Sequence, residues 1–217
     1  MRVGVISGSD RHFSESKEGI KWLLRGSEFE FTDTPSPEDV HIIFGSHLLQ
    51  SIPLNSVLFQ GEQLSSRFVT EKYKSRLRNA LWVFDHSVRD VPFWQAINPN
   101  TSHMVFPVKT PPESKSSDLD TDVLFYGCRN PHRSLIEDIF KGSNMKCDFE
   151  MGYSLFGQKR DEKILGSKIV LNLHFYSDAV LETHRINYLL SMGKVVVSER
   201  SSCPELDERY EGAVFFA

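Results

Sequence analysis

Short apolar runs alternate with stretches that suit helices from the first residues of the chain almost to its last. In the first half, apolar runs at residues 3–7, 29–31, 40–44, 57–59, 81–84 and 104–106 enclose helical stretches at 16–25, 69–78 and 88–97. Continuous apolar strands between helices are typical of a mostly parallel sheet that is covered on both faces. The pattern therefore predicts an α/β fold.

One segment interrupts this alternation. Residues 107–122 are rich in Pro, Ser and charged side chains and have no periodicity, which is typical of an exposed connection. The alternation then resumes, with strands at 123–126, 145–150, 169–173, 195–198 and 213–216 and helices at 131–141, 158–165 and 181–192. We therefore expect a first domain at 1–108, a linker at 109–121 and a second domain at 122–217.

The composition argues against several classes of partner and site. The 217 residues are 40% hydrophobic and 25% charged, with a net charge of -4 and scattered rather than clustered basic residues. This profile argues against nucleic acid as the main partner. Three widely spaced cysteines argue against a disulfide framework or a zinc knuckle, and no apolar run approaches the roughly 18 residues of a membrane span. We expect a cytoplasmic protein without a transmembrane segment.

Polar residues follow the strands of the second half, where open α/β sheets bind their ligands. After the strand at 123–126 come Gly127, Arg129 and Arg133, with Pro131 suited to a first helical turn. A helix start with arginines beside it attracts phosphate. The alternative is a solvated loop whose arginines make surface ion pairs.

The run SKIVLNLHFYSDAVLETHRINYLLSMGKVVVSE, residues 167–199, places polar side chains between two apolar strands. Helical spacing aligns Glu182, Arg185 and Leu189, while His174 follows one strand and Glu199 the next. An acidic residue in a first helical turn also has a purely electrostatic explanation. Three consecutive strand ends with polar residues nevertheless indicate that this edge lines a binding cleft.

These segments, together with DVLFYG at 122–127, resemble the donor-binding half of GT-B glycosyltransferases, near the small family 1 or CgeB-like glycosyltransferases of bacteria and large DNA viruses. The runs PLNSVLFQGEQL at 53–64 and LWVFDHS at 81–87 are also similar to that group. The resemblance implies two Rossmann-like domains that face each other across a cleft. The second would bind a nucleotide-sugar donor, and the first a carbohydrate or glycoconjugate acceptor.

Carried over to this sequence, the resemblance implies a set of donor-binding residues. They are Gly127, Arg129, Arg133, His174, Tyr176, Glu182, Thr183, His184, Arg185, Ser198 and Glu199. The first three would meet the diphosphate, Glu182 the sugar or phosphate, and Glu199 the base or ribose. One departure concerns Tyr188, which stands where the common retaining pattern has a second, ribose-binding Glu. The stereochemistry therefore stays open.

An inverting transferase needs a general base near the acceptor hydroxyl. The first half offers Asp10, His12, His47, Glu62, Asp85 and His86. We favour Glu62 and Asp85, because each directly follows a predicted buried strand, and then His12. Helix or turn caps and satisfied histidines are the structural alternatives for all six.

Asp118 and Asp120 suggest a second mechanism, because an Asp-x-Asp pair binds a divalent metal in GT-A glycosyltransferases. Here the pair precedes an apolar strand instead of ending one, which favours a solvated charge run. We therefore expect a metal-independent enzyme without a cofactor. The alternatives are a metal-dependent GT-A-like transferase and an inactive module that only binds a nucleotide sugar.

Overall fold

The structure is a computed structural model that describes residues 1–108, 119–152 and 155–217. The chain divides into two compact units, Met1–Lys109 and Thr110–Ala217. Most of the expected linker at 109–121 lies outside the described residues, and Thr121 already belongs to a strand. Each unit is an α/β structure around one sheet in which every described strand pair is parallel. The predicted fold class is thus confirmed.

The first unit has a six-stranded sheet in the order β2-β1-β3-β4-β5-β6. Its strands are β1 (Arg2–Ser7), β2 (Glu30–Thr32), β3 (Val40–Phe44), β4 (Ser56–Gln60), β5 (Trp82–Asp85) and β6 (Thr101–His103). Its helices are α1 (Asp10–Leu23), α2 (Glu71–Arg78) and α3 (Val91–Gln95), with a short 3-10 helix at Ser46–Leu48.

Apolar clusters cover both faces of this sheet. Ile43 packs in one cluster with Leu58, Leu77 and Trp94, whereas its neighbour Ile42 packs in another. Successive side chains of a strand point to opposite faces, so an uninterrupted apolar run fills both clusters at once. This explains why β3 and β4 read as continuous apolar segments.

The second unit has a five-stranded sheet in the order β11-β10-β9-β7-β8. Its strands are β7 (Thr121–Gly127), β8 (Cys147–Met151), β9 (Ser167–Asn172), β10 (Val195–Ser198) and β11 (Phe215–Phe216). Its helices are α4 (Pro131–Lys141), α5 (Gly157–Leu165), α6 (Thr183–Ser191) and α7 (Pro204–Glu208). Strand β9 lies between β10 and β7, so the carboxyl ends of these three strands are neighbours.

Three sequence predictions about elements were wrong. The last strand of the first unit is Thr101–His103 and not 104–106, because Met104 and Phe106 pack onto the core from a loop. Helix α1 begins at Asp10, six residues before the predicted start, because the extended Ser9 already ends the preceding loop. Helix α7 was not predicted.

Within the described residues, no helix has the length and apolar character to cross a membrane.

Candidate functional site

The polar side chains of the second unit gather at the carboxyl ends of β7, β9 and β10, around an open pocket of about 570 Å³. The residues that line it come from the start of α4, the loop after β9 and the end of β10. They are Asn130, Pro131, His132, His174, Phe175, Tyr176, Ser177, Glu199 and Arg200. An open pocket therefore lies at the edge where the sequence predicted a site.

Glu182, the residue that precedes α6, is the centre of a partly buried hydrogen-bond network beside this pocket. Its Oε2 atom accepts hydrogen bonds from Asn172 Nδ2 and from the His174 ring, each at 2.9 Å. Its Oε1 atom has no partner among the described residues, and 18% of the side chain is exposed. Burial alone would raise the pKa of Glu182, but His174, Asn172 and Arg185 outweigh burial and lower it. Glu182 is thus a carboxylate with one oxygen fixed and the other available.

His174 joins this network to Glu199. Its backbone N–H donates to Glu199 Oε2 at 2.6 Å, while Glu199 Oε1 contacts the ring of His132. Burial lowers the pKa of His174, but the hydrogen bond and charge of Glu182, together with Glu199, raise it above the ordinary value. The buried Nε2 atom has no partner among the described residues. His174 thus contacts Glu182 through its ring and Glu199 through its backbone N–H.

Two guanidinium groups lie against Gly127 at the end of β7. A Cβ atom at Gly127 would be 3.4 Å from a guanidinium nitrogen of Arg133 and 3.4 Å from one of Arg185. Arg185 donates to the Tyr126 carbonyl at 2.8 Å, and Arg133 donates to the carbonyls of Cys128 and Leu173. Burial and the charge of Arg185 lower the pKa of Arg133 to about 10. Because an anion would offset two positive charges this close together, the pair is a candidate anion site.

The start of α4 adds amide donors. The Asn130 side chain accepts from the Arg133 N–H at 2.8 Å and donates to the Phe175 carbonyl at 2.9 Å. This cap orients the first turn of an 11-residue helix whose partial positive charge faces the same edge. Asn130 also ties that turn to the loop after β9.

Most of the predicted donor-binding residues therefore occupy one network. Those brought together are Gly127, Arg133, His174, Glu182, Arg185, Ser198 and Glu199. Ser198 belongs to it because its hydroxyl accepts from Asn172 at 3.0 Å and donates to the Glu199 carbonyl at 2.8 Å. Tyr176 lines the pocket, and its ring makes an edge contact with Phe175 at 5.1 Å.

Three predicted residues lie elsewhere. Arg129 turns outward and pairs with Ser134 and Glu137 on α4, with 56% of its side chain exposed. Thr183 is fully buried, and its hydroxyl has no partner among the described residues. His184 is exposed on the outside of α6 and does not line the pocket.

Sequence reasoning missed Asn172, Asn130 and His132. Asn172 is fully buried and supplies one amide nitrogen to both Glu182 and Ser198. A polar residue that ends an apolar strand was a usable signal for it. His132 carried no comparable signal, because its role depends on Glu199, which lies 67 residues later in the chain.

The candidate bases of the first unit follow neighbouring strands of its sheet. Glu62 Oε1 lies 3.2 Å from His47 Nε2, its Oε2 accepts from Ser66, and 18% of its side chain is exposed. Asp85 is fully buried and accepts from Gln60 Nε2 and from the Ser87 N–H, each at 2.5 Å. Burial raises the pKa of Asp85 to about 6, against the charge of His86 and the bond from Ser87. Asp85 is closed off, whereas Glu62 reaches the surface.

His12, the third predicted base, is exposed near the start of α1. Its Nδ1 atom lies 2.7 Å from the Ser9 hydroxyl, and partial burial and the charge of Arg11 lower its pKa. The charge of His12 is also felt by His47. His12, His47, Glu62 and Asp85 thus lie at the ends of four adjacent strands, β1, β3, β4 and β5, at the carboxyl edge of the first unit.

Of the suggested Asp-x-Asp metal pair, only the second residue belongs to the described residues. Asp118 lies outside the described residues, and the side chain of Asp120 is 80% exposed, 4.0 Å from Lys146. Across residues 1–108, 119–152 and 155–217, no three His, Cys, Asp or Glu side chains come together as a metal site. Metal independence remains a prediction.

No family model matches the chain. An uncharacterized protein of Acanthamoeba polyphaga mimivirus is 27% identical over 206 residues, which cover 89% of this chain. The chain spans 65% of the length of that relative. The expected resemblance to family 1 or CgeB-like proteins therefore stays a prediction.

Solved structures give a clearer result. A structure of an alpha-glucosyltransferase in complex with UDP matches with a TM-score of 0.59 and 12% identity, over 93% of this chain and 81% of the other. An alpha-glucosyltransferase bound to UDP-glucose and DNA matches at 0.54 and 12%, over 93% and 80%. An alpha1,3-fucosyltransferase matches at 0.52 and 11%, over 93% and 69%. The chain shares the fold of these GT-B glycosyltransferases.

Proposed function

We propose that this chain is a glycosyltransferase that moves a sugar from a nucleotide-diphosphate donor to a hydroxyl group. The observation that carries the proposal is the pair of guanidiniums against Gly127, beside a carboxylate with a free oxygen, at the carboxyl edge of a parallel sheet. A sugar nucleotide combines the two features that such a site binds, an anionic diphosphate and a hydroxyl-rich ring. The shared fold supports this choice.

In this proposal, Arg185 and the first turn of α4 bind the diphosphate. One guanidinium N–H of Arg185 donates to the Tyr126 carbonyl, and its other N–H groups would donate to a ligand. Arg133 contributes its charge, although its side chain is 95% buried and bonded to two carbonyls. Charge-assisted bonds of this kind stabilise a departing diphosphate without a metal ion. We propose a metal-independent reaction on this basis.

The free oxygen of Glu182 would accept a hydrogen bond from a hydroxyl of the donor sugar. Phe175, with 42% of its surface exposed, and Tyr176 would stack on the base or the sugar. Glu199 would lie near the base or ribose. We assign the acceptor, a carbohydrate or glycoconjugate, to the first unit, where Glu62 reaches the surface.

The alternative function is the binding of a nucleotide sugar without transfer, and one position departs from the pattern of the common retaining enzymes. Tyr188 is buried at the position where the common retaining pattern has a second Glu, and the guanidinium of Arg160 covers its ring at 4.5 Å. A ribose contact from that position is therefore not available in this chain.

The test combines binding with turnover. Calorimetric titration with UDP, GDP, dTDP and CMP identifies the nucleotide, and incubation with the matching sugar donors measures released nucleotide. We expect one nucleoside diphosphate to bind and its sugar donor to be consumed, with or without EDTA. The acceptor panel includes oligosaccharides, glycoconjugates and DNA, because one structure of the same fold contains DNA. Binding without any release would favour the second function, and no binding at millimolar nucleotide would contradict both.

A further inference from the structure

The side-chain amide of Asn172 joins two strand ends of the second unit to Glu182. Asn172 is the last residue of β9, and strand pairing places it opposite Ser198, the last residue of β10. Its Nδ2 atom donates to the Ser198 hydroxyl at 3.0 Å and to Glu182 Oε2 at 2.9 Å. Its backbone carbonyl also accepts from the Glu199 N–H at 3.2 Å. Asn172 is therefore fixed by β10 at the same time as it holds Glu182.

The packing of the sheet does not account for an amide at this position. Asn172 is fully buried, and its neighbours Val170 and Leu171 are buried apolar residues. Its Oδ1 atom is buried and has no hydrogen-bond partner among the described residues. A buried polar atom without a partner lowers stability, and an apolar side chain of similar size would avoid this cost. Asn172 must therefore be explained by what its Nδ2 atom holds.

Glu182 is likewise not explained by its own helix. It precedes α6, but its side chain accepts no capping hydrogen bond from the described first turn of that helix. Instead, its Oε2 atom accepts from Asn172 and from the His174 ring, each at 2.9 Å. Two donors on one oxygen restrict the rotation of the carboxylate and leave Oε1 as the oxygen that can accept from a ligand.

The two donors differ in how constant they are. The protons of the His174 ring change with pH, whereas the amide of Asn172 donates at every pH. Asn172 also lies on a strand and is bonded to Ser198, while His174 lies in the loop that follows. Asn172 is therefore the donor that holds Glu182 in the same way at every pH.

We propose that Asn172 is a positioning residue for Glu182 and thereby determines how tightly the protein binds the sugar of its donor. This inference rests on the proposed function and concerns the second unit alone. Asn172 holds Oε2 of Glu182, and Oε1 accepts from a hydroxyl of the donor sugar. The diphosphate binds to other groups, Arg185 and the first turn of α4. Loss of Asn172 therefore weakens recognition of the sugar and leaves recognition of the diphosphate intact.

The test compares two affinities of the same protein. Calorimetric titration measures the Kd of UDP against that of UDP-glucose, and the Kd of GDP against that of GDP-fucose. We expect Asn172→Ala to weaken binding of the sugar nucleotide about tenfold, because a hydrogen bond to a charged group is lost, with an unchanged Kd for the nucleoside diphosphate. Asn172→Asp keeps the shape of the side chain but places a second carboxylate beside Glu182, so we expect at least the same loss. Equal losses for both ligands, or no loss for either, would overturn the proposal.

Asn98→Ala is the matched control. Asn98 is also a buried amide, and its Nδ2 atom donates to the carbonyls of Leu77 and Ala80 in the first unit, at 2.8 and 2.9 Å. We expect its loss to lower the free energy of unfolding, measured with urea, without changing either affinity. The same result for Asn172→Ala would show that Asn172 is only structural.

A double-mutant cycle tests whether Asn172 acts through Glu182. In a Glu182→Ala background, the further change Asn172→Ala should leave the Kd of the sugar nucleotide unchanged, because the contact that Asn172 supports is already absent. Additive losses from the two substitutions would contradict a positioning role.

A crystal structure of Asn172→Ala provides a measurement that needs no ligand. We expect the fold to be kept and the Glu182 carboxylate to turn from its wild-type orientation, and an unchanged carboxylate would overturn the proposal. If the wild-type protein binds UDP or GDP and the Asn172 variants do not separate the diphosphate from its sugar nucleotide, the role of Asn172 fails and the proposed function stands. If no nucleotide and no sugar nucleotide binds, both fail together.

Discussion

His174 Nδ1 lies 2.9 Å from Glu182 Oε2, so one buried hydrogen bond joins the loop after β9 to the start of α6. The pKa of each partner moves so that the charged form is favoured. Burial opposes both shifts, but the pairing outweighs it, raising the pKa of His174 and lowering that of Glu182. Both shifts favour an ion pair between His174 and Glu182.

This ion pair should make stability depend on pH. The contribution of His174 is complete below about pH 6.5 and is lost as pH rises through its folded pKa, because the folded state binds the proton more tightly. The contribution of Glu182 is present above about pH 4.5 and is lost as pH falls. We expect His174→Gln to destabilise most between these values, as measured by urea unfolding at several pH values. The exposed His184→Gln is the control, and an equal loss at pH 5.5 and pH 9 would contradict the ion pair.

Replacing Glu182 should affect catalysis more than folding. Glu182→Gln keeps the shape of the side chain and one accepting oxygen but removes the charge beside the proposed sugar site. We expect turnover to fall more than tenfold, while unfolding free energy falls by less than about 3 kcal/mol, the upper range for a hydrogen bond to a charged group. Steady-state release of nucleotide and thermal unfolding measure the two effects. A large loss of stability with unchanged turnover would show that Glu182 is only structural.

Arg185 and Arg129 should behave differently although both are arginines near α4. Arg185→Ala should weaken nucleoside diphosphate binding roughly tenfold to a hundredfold, because a charge-assisted contact contributes about 1.5 to 3 kcal/mol. Arg129→Ala should leave affinity unchanged, since Arg129 pairs with Glu137 on the outer side of the helix. Calorimetric titration distinguishes the two variants. If Arg129→Ala weakened nucleotide binding and Arg185→Ala did not, the diphosphate would lie on the other side of α4.

Gly127 should tolerate no side chain. Its φ of +155° is unfavourable for other residues, and a Cβ atom would also lie 3.2 Å from the Phe125 ring and against both guanidiniums. We expect Gly127→Ala to lower both stability, by about 1 to 3 kcal/mol, and nucleotide affinity. Gly142→Ala at the end of α4, where φ is -79°, is the matched control and should change neither. Equal losses of stability and of nucleotide affinity in Gly127→Ala and Gly142→Ala would contradict the proposed diphosphate site.

Asp85 should destabilise the first unit as pH rises. Its pKa is about 6 in the folded protein against 3.8 in the unfolded chain, so the folded state loses stability between about pH 4 and pH 6. The difference corresponds to about 3 kcal/mol. We expect the free energy of unfolding that Asp85→Asn loses relative to wild type to be larger at pH 4 than at pH 7, by about 3 kcal/mol. Urea unfolding at both pH values measures it, and a constant difference would show that Asp85 titrates normally.

The sequence predicted the fold class well because both sheets are parallel and buried on both faces. Apolar runs such as Val40–Phe44 and Val195–Ser198 then mark their strands directly. Strand β6 was not predicted because Thr101, Ser102 and His103 are polar. The apolar Met104 and Phe106, which follow it, pack onto the core from a loop. Apolar character indicates burial, and burial does not require a strand.

The site was predictable as a region and less so as a set of contacts. Strand ends in a parallel sheet identify Gly127, His174 and Glu199 from order alone. Which arginine faces inward depends on helix rotation and packing, so Arg129 and Arg185 could not be distinguished. His47 was among the six candidate bases, but its contact with Glu62, which follows a different strand, could not be predicted.

Parallel pairing also has a kinetic consequence. No described strand pair is a hairpin, so every pairing closes a long loop before its contacts form. Glu182, His174 and Gly127 belong to segments that meet only when β9 and β7 are aligned. We therefore expect the proposed nucleotide site to form only once β7 and β9 have paired.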